Sequence, residues 1–569
     1  MKASADLLAQ EQGTIIKKWK GKLPIALVFP NVYHLAMSNL GLQLVYRMAN
    51  DIPDIVCERV FLPIEEGAPA SVESGRLLTD FPVILCALSF ESDYLNLLRI
   101  FLGAGIEPLA HKRSGRQDLP APLIIGGGVA TFINPEPLAP FFDMLVVGDA
   151  EVLLPGLLAK LLAADRHQQG WQEQVLARCA AEPGYYVPAK YHYLWTADGA
   201  FAGFEAATGA LLPVEKKVCL DLAAAGHSEI ITPNTEFAGL YLAELGRGCS
   251  RGCRFCAAGF VYRPPRLWRS AAIIAALEEI PAGCSRVGLL GMEMAPAAEL
   301  AAVAQFLEGG HCSLSFSSLR ADALGTELVS LLGKSNLKTA AIAPDGASER
   351  LRAVINKGLC RQDIIKAART LVEAGITTLK LYFMIGLPTE TEADLQELVD
   401  LVHQVKKEID EVGRARGRLT AIAVSLNSFV PKAWTPFQYA PFAGVPELKR
   451  RIKFLSKALA PLANVKLKVD KPDNAFFQAV LARGDRRLAP ALLDMVSSGR
   501  NWRQVLKDHD LDPLEMVRAR GREEKLCWQI IDHSMHADYL WQEYTKALAG
   551  KTTRACDTAR CRRCGVCGD

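Results

Sequence analysis

Short apolar runs rich in β-formers alternate with segments of helical period along two long stretches of the chain, and this alternation most narrows what it can fold into. From Pro24 to Leu157 the runs Ile25 to Phe29, Val83 to Ser89, Leu123 to Ile125 and Met144 to Val147 read as strands. Strands separated by helices predict a parallel sheet covered on its faces by helices. Glycine turns follow two of these runs: Gly126, Gly127 and Gly128 after the third, Gly148 and Asp149 after the fourth. Doubly wound sheets bind ligands beyond the carboxyl ends of their strands, where bare backbone permits close approach. Between 166 and 237 the pattern changes. Tyr185-Tyr186-Val187-Pro188, then Tyr191 to Trp195 and a turn at Ala197-Asp198-Gly199, read as a β-hairpin linker. The strand and helix alternation resumes at Ala238.

A chain of 569 residues is too long for one core. Half of it is hydrophobic, yet the longest apolar stretches, such as Phe81 to Phe90, fall well short of the roughly 20 residues that span a bilayer. Met1 to Gln10 lacks a charged region followed by an apolar block, so no secretion signal is read. The expected location is the cytoplasm, with no membrane partner. A net charge of +3 makes no global demand for nucleic acid. Lys449, Arg450, Arg451, Lys453 and Lys457 read as one solvated basic helix face. Fifteen cysteines in such a chain argue for metal or redox chemistry over disulfides. Eight of them, Cys57, Cys86, Cys179, Cys219, Cys284, Cys312, Cys360 and Cys527, are scattered and expected to be buried as small apolar residues.

The other seven form two clusters. The first is Cys249, Cys253 and Cys256, spaced C-x3-C-x2-C in a Gly-rich loop after an apolar run. A structural zinc wants four protein ligands, whereas three thiolates can hold three irons of a four-iron cluster and leave the fourth open. A zinc loop borrowing a fourth ligand is the competing reading. The spacing, with Phe255 before the last cysteine, resembles the signature of radical S-adenosylmethionine enzymes. That resemblance implies a 4Fe-4S cluster whose open iron chelates the methionine end of S-adenosylmethionine.

The N-terminal stretch resembles the cobalamin-binding domain that precedes the cluster domain in one subgroup of that family. The residues carrying the likeness are Phe29-Pro30-Asn31-Val32-Tyr33, Leu88-Ser89-Phe90, Ile125-Gly126-Gly127-Gly128 and Val147-Gly148-Asp149-Ala150-Glu151. It implies cobalamin contacts at Ser38, Gly41, Ser89, Gly126, Gly127, Gly128, Gly148 and Glu151. Better-known cobalamin modules carry D-x-H-x-x-G, whose histidine ligates cobalt. The best register here, Ala36 to Gly41, puts Ser38 in the histidine's place. Cobalamin is therefore expected with its own base tucked away and no protein histidine on cobalt.

In the second stretch, (β/α) barrels gather function at the carboxyl ends of strands. Following the same resemblance, Gly291 and Glu293 after Arg286 to Leu290 stand where the family holds the methionine amino group. Ser318 and Arg320 after Cys312 to Phe316, and Glu349 and Arg352 after Thr339 to Ile342, suit ribose hydroxyls and a carboxylate. For the last pair a helix cap at Ser348 or Asp345 with an i, i+3 surface pair is the equal alternative. Gly386, ending Leu379 to Leu387 before a helix opening at Thr389 or Thr391, would let backbone approach adenine. The strand Ile422 to Asn427 leads to Phe429 through Phe437, whose prolines and aromatics are expected to form a lid.

The second cluster closes the chain: Cys556, Cys561, Cys564 and Cys567, spaced C-x4-C-x2-C-x2-C, with Arg554, Arg560, Arg562 and Arg563 among them. Zinc sites usually set two pairs on a longer spacer, so the compact run favours a second iron-sulfur cluster over zinc. Being far from Cys249 in sequence and sharing no ligand with it, this site is expected to be independent. Its arginines keep an RNA or ribonucleoprotein substrate open.

The expected architecture is α/β. A doubly wound, Rossmann-like cobalamin-binding domain (1–165) leads through a linker with a β-hairpin (166–237) to a partial (β/α) radical S-adenosylmethionine barrel (238–470). A mostly helical C-terminal region (471–569) follows. The resemblance implies a cobalamin-dependent methyltransferase acting on an unactivated carbon through a 5′-deoxyadenosyl radical and methylcobalamin, with an external donor such as flavodoxin or ferredoxin. The alternatives are a cobalamin-assisted rearrangement, cyclisation or ring contraction, and a cobalamin- or redox-responsive binding protein. A methylthiotransferase is excluded, because the N-terminal domain has no second cysteine triad.

Overall fold

The computed structural model describes residues 6–568 apart from 65–66, 114–120, 294–295, 310–312, 317–319, 326–328, 330–332 and 334–336. Six strands make the first sheet: β1 (Leu23–Phe29), β2 (Ile55–Phe61), β3 (Val83–Ala87), β4 (Leu123–Gly127), β5 (Met144–Val146) and β6 (Tyr185–Tyr186), in the order β2-β1-β3-β4-β5-β6. The first five run parallel and β6 pairs antiparallel to β5. All seven residues of β1 are buried, as a strand covered on both faces requires. Tyr185 and Tyr186, expected in the linker, thus belong to this sheet.

β2 was not expected, because its centre is Glu58-Arg59. Both side chains are nonetheless buried. Arg59 is held by Glu11 at 2.7 Å and Glu73 at 2.6 Å, while Glu58 accepts from Trp19 at 2.7 Å and Ser71 at 2.6 Å. Buried charges persist only when paired and hydrogen-bonded in this way.

The expected hairpin forms from β7 (Tyr191–Trp195) and β8 (Phe201–Ala206), and β9 (Val214–Glu215) follows. Two further four-stranded sheets come next. One contains β10 (Tyr241–Arg247), β11 (Arg266–Leu267), β12 (Arg286–Gly291) and β13 (Ser313–Phe316), in the order β11-β10-β12-β13. The other runs β14 (Thr339–Asp345), β15 (Thr378–Ile385), β16 (Ala421–Ser428), β17 (Val465–Val469), all parallel. The helix expected after β15 spans Glu392–Ala415, capped by Thr391 with Asp394 in a capping box. Its buried residues Leu395, Leu398, Val402, Val405, Ile409 and Val412 follow helical spacing. On the helix Val445–Leu459 the basic face is ion-paired at the surface, Arg450 with Glu447 at 2.8 Å and Lys449 with Asp473 at 3.0 Å.

The region 471–569 is mostly helical and serves as a brace between the sheets. β18 (Ile531–Asp532) pairs parallel with β9, Arg486 meets the buried Glu136 at 3.0 Å, and Asn134 donates to the Gly484 carbonyl at 2.8 Å. The segment expected as a lid is packed into this brace: Phe429 and Phe437 are buried, and Trp434 lies 4.6 Å from the His533 ring. Of the scattered cysteines, Cys57, Cys86, Cys179 and Cys527 are buried, but Cys219, Cys284 and Cys360 are only half-buried. Cys312 lies outside the described residues. Among the described residues, no helix is long and apolar enough to cross a membrane.

Candidate active site

The carboxyl ends of the first sheet face those of β10 and β12 across a cavity of about 450 Å³. Ser38, Gly41, Ser89, Gly126, Gly127, Gly128, Gly148, Glu151 and Gly291 all line it, so nine residues singled out from the sequence share one space. Two of its glycines are fixed by backbone geometry. Gly128 has φ +105 and an added Cβ would stand 2.5 Å from the Leu88 carbonyl oxygen; at Gly148, with φ +141, it would stand 2.1 Å from that of Lys217. Gly127 differs, since an added Cβ meets nothing nearer than Val146 at 3.9 Å. Asn39 caps the helix Leu40–Asp51 at the cavity wall, its side chain accepting from Leu42 N. The helix Ala150–Ala163 also begins there.

Across the cavity, Glu244, Gly246 and Arg247 of β10 form the wall. Arg247 reaches Glu151 at 2.8 Å and Glu244 at 3.0 Å. The other Glu151 oxygen, Oε2, is buried without a partner. His227, from the linker, lines the same space with its ring 5.8 Å from that of Tyr241. Sequence reasoning named none of Glu244, Arg247 and His227. No spacing signals the Glu244–Arg247 pair, since residues i and i+3 of a strand face opposite sides; the register shift between Glu244 and Gly246 accompanies it. His34, by contrast, is exposed.

The cysteine loop leaves β10 through Gly248, whose φ of +82 and close approach to Tyr262 O, 2.7 Å from an added Cβ, call for glycine. Cys249, Cys253 and Cys256 are mutual electrostatic neighbours. Burial pushes the Cys249 thiol up to about 11 and that of Cys253 up to about 12. Among the described residues no three His, Cys, Asp or Glu side chains are gathered so as to hold one metal ion. Three thiols brought together by one loop are the donor set that would suit a multi-iron cluster rather than a single ion.

Glu293, read as a contact for the methionine amino group, is engaged by the cysteine loop: Ser250 N and Oγ each donate to it at 2.6 Å. Arg320 sits beside that loop, donating to Lys357 O at 2.6 Å, and Lys357 pairs with Asp345 at 2.5 Å next to Cys253. The other assignments do not join the site. Ser348 caps the helix Glu349–Val354, Arg352 is buried on the Leu359 carbonyl at 2.9 Å, and Glu349 points to solvent with 61 % of its side chain exposed. Ser348 thus caps the helix as the alternative has it, while Arg352 is buried rather than part of a surface pair. Gly386 packs under the helix Val445–Leu459, where an added Cβ would meet Leu448 at 2.8 Å. Ser318 lies outside the described residues.

The tail expected to be independent lies on the cysteine loop. Cys556 N donates to Ser250 O at 2.7 Å. Arg254, fully buried between Cys253 and Cys256, binds Glu543 at 3.1 Å and Lys551 O at 2.7 Å. Arg263 holds Tyr539 at 3.0 Å and reaches the Cys564 thiol. Burial works to raise the Cys561 thiol, but the Arg563 guanidinium on its sulfur outweighs it and holds it below the usual range.

Residues 41–188 match the family model described as radical SAM proteins, N-terminal, and residues 243–402 match that of the radical SAM superfamily. The chain therefore carries a radical S-adenosylmethionine domain that includes the Cys249 loop. It is 27 % identical over 473 residues, 82 % of this chain and 90 % of the other, to a protein of Methanocaldococcus jannaschii described as uncharacterized protein MJ0966. Among solved structures, it is similar to the radical S-adenosylmethionine methyltransferase TsrM from Kitasatospora setae, with tryptophan substrate and an S-adenosylmethionine analogue bound. That match has 14 % identity, covers 75 % of this chain and 76 % of the other, and has a TM-score of 0.47. It is also similar to the cobalamin-dependent S-adenosylmethionine radical enzyme OxsB, at 13 % identity over 93 % of this chain and 80 % of that one, with a TM-score of 0.48.

Proposed function

We propose that the protein is a cobalamin-dependent radical S-adenosylmethionine enzyme that methylates an unactivated carbon. The observation that carries this reading is that one cavity is walled on one side by the glycine turns of a doubly wound sheet and on the other by β10, the strand that delivers the cysteine triad. When bound, the cluster supplies one electron for cleavage of S-adenosylmethionine, and cobalamin carries the methyl group.

The residues present fit both groups. Cys249, Cys253 and Cys256 would hold the cluster. Gly126 to Gly128 and Gly148 offer bare backbone to a large cofactor, and two helix N-termini at the wall favour its phosphate. The unpartnered Glu151 Oε2 is a polar atom awaiting a donor. On the first-sheet side Ser38 stands where an imidazole would, while His227 is held against Tyr241 on the opposite wall. Cobalamin without a protein histidine on cobalt is part of this proposal. So are a cytoplasmic setting and a substrate that enters beside β10 and β12.

Gly127 gives the cleanest test of the cofactor's place. Gly127→Leu adds a side chain at the wall without a backbone collision, so the variant is expected to fold with an unchanged melting temperature while cobalamin affinity drops at least tenfold. Wild-type affinity by absorbance titration would place the cofactor elsewhere.

The reaction type is tested by supplying S-adenosylmethionine labelled with deuterium in its methyl group to a cell extract containing the reduced protein. Transfer of the intact labelled methyl to a product, with 5′-deoxyadenosine formed alongside, is expected. A product without label, formed together with 5′-deoxyadenosine, would establish the rearrangement alternative instead.

A further inference from the structure

The tail cysteines are not used by the reaction proposed above, yet a chain of buried polar contacts places them on the Cys249 loop. The buried Arg254 side chain, flanked in sequence by cysteines of the triad, holds Glu543, the Lys551 carbonyl at 2.7 Å and Thr553. Thr553 N donates to Asn356 at 2.8 Å, and Asn356 in turn donates to the carbonyls of Arg251 and Gly252 at 3.2 Å. The Cys556 amide closes the contact on Ser250, the neighbour of Cys249. Cys564 is buried, while Cys556, Cys561 and Cys567 are half-buried. Cys561 is a side-chain neighbour of Cys556, and Cys567 of Cys564 and Cys561. On the outer side Arg554, Arg560, Arg562 and Arg563 are exposed, with Asp557 the one acidic residue between 551 and 568.

We propose that Cys556, Cys561, Cys564 and Cys567 hold a second iron-sulfur centre seated on the Cys249 loop, and that the arginines around it dock a small acidic one-electron carrier. The compact C-x4-C-x2-C-x2-C spacing is that of a cluster, since zinc sites space two pairs more widely. Four thiolates would close its coordination, so it binds no S-adenosylmethionine and its use is to pass electrons. One electron leaves the reduced carrier, which is oxidised by one electron. The tail centre is reduced and then reoxidised as the Cys249 centre gains that electron; no atom is transferred. A basic patch over the entry point raises the encounter rate with an acidic donor and makes that rate fall with salt. The role rests on the radical S-adenosylmethionine reading, whereas the metal content of the tail does not.

The test uses the full-length, anaerobically reconstituted protein beside the variant Cys561→Ser, Cys564→Ser, Cys567→Ser. The variant is expected to lose about four irons and four sulfides per chain and to keep the signal of the Cys249 centre. In electron paramagnetic resonance of the dithionite-reduced protein, the wild type should show a broadened, fast-relaxing spectrum from two neighbouring centres, and the variant a simpler, more easily saturated one. Equal iron and sulfide contents, zinc in the tail, or identical power saturation would each overturn the proposal. Cys567→Ser alone, near the chain end, serves if the triple variant fails to fold, with the same outcomes required of it.

The docking half is read from Arg554→Glu, Arg560→Glu, both exposed. Metal content should stay constant and reduction by dithionite unchanged, while reduction by reduced flavodoxin slows at least tenfold at low salt. An unchanged flavodoxin rate, or loss of RNA binding with no change in that rate, would overturn it. If the tail loses its cluster as expected but S-adenosylmethionine is never cleaved, the fault lies with the proposed reaction and not with the tail centre.

Discussion

Replacing Cys249, Cys253 and Cys256 together by alanine abolishes formation of 5′-deoxyadenosine from S-adenosylmethionine and lowers bound iron by about four per chain. Cys253 is buried, only 9 % exposed, Cys249 and Cys256 are half-buried, and no other cysteine outside the tail lies on the loop to replace them. Chromatographic detection of 5′-deoxyadenosine with a colorimetric iron assay suffices. Because Cys556 N donates to Ser250 O, the variant is also expected to disturb the packing of the tail on this loop. Production of 5′-deoxyadenosine at the wild-type rate contradicts the assignment.

Arg254→Met is expected to destabilise the protein by about 1–3 kcal/mol, the cost of leaving buried hydrogen-bonding groups without their donor, because Glu543 keeps Lys546 at 2.8 Å and Thr553 at 2.8 Å. Arg254 is 0 % exposed and Glu543 is 2 % exposed, and the arginine also satisfies the carbonyls of Val354 and Lys551. The lost contacts are those that seat the tail, so alkylation of Cys561 and Cys567 should quicken in the same variant. Adding Glu543→Met should cost less than it does alone, since its pairing with Arg254 is already gone. Urea unfolding measures both, and an unchanged midpoint for Arg254→Met would show that the pair does not hold the tail in place.

The sequence reveals what is locally periodic or locally spaced. Strands β1, β3, β4 and β5 are apolar runs, the last two followed by glycine, so they and the cavity glycines are legible from pattern alone. β2 is not, because Glu58 and Arg59 look like solvent-facing residues until Glu11, Glu73 and Ser71 are brought to them by the fold. β17 is missed for the opposite reason: it is an edge strand with Lys466 and Lys468 exposed, and it offers little burial to read. Tyr185 and Tyr186 cannot be told from linker by pattern, because two residues carry no period at all.

The site divides the same way. The cysteine triad and the glycine turns need only spacing, whereas His227, Arg247 and Lys357 reach their places through tertiary folding and have no motif. Where two local explanations competed at Glu349 and Arg352, the helix cap prevailed, since Ser348 accepts from Leu351 N and the arginine is consumed by backbone carbonyls. The seating of the tail is the largest feature that spacing could not reveal. Arg254 and Lys551 are 297 residues apart in sequence and 2.7 Å apart in the fold.

The most direct test of the central claim is electron paramagnetic resonance of the reduced full-length protein before and after addition of S-adenosylmethionine. A cluster held by Cys249, Cys253 and Cys256 keeps one iron free of protein ligands, so its signal should change in g-values and line shape when the methionine end of S-adenosylmethionine binds there. A spectrum unaltered at saturating S-adenosylmethionine, with no 5′-deoxyadenosine formed, would contradict the account.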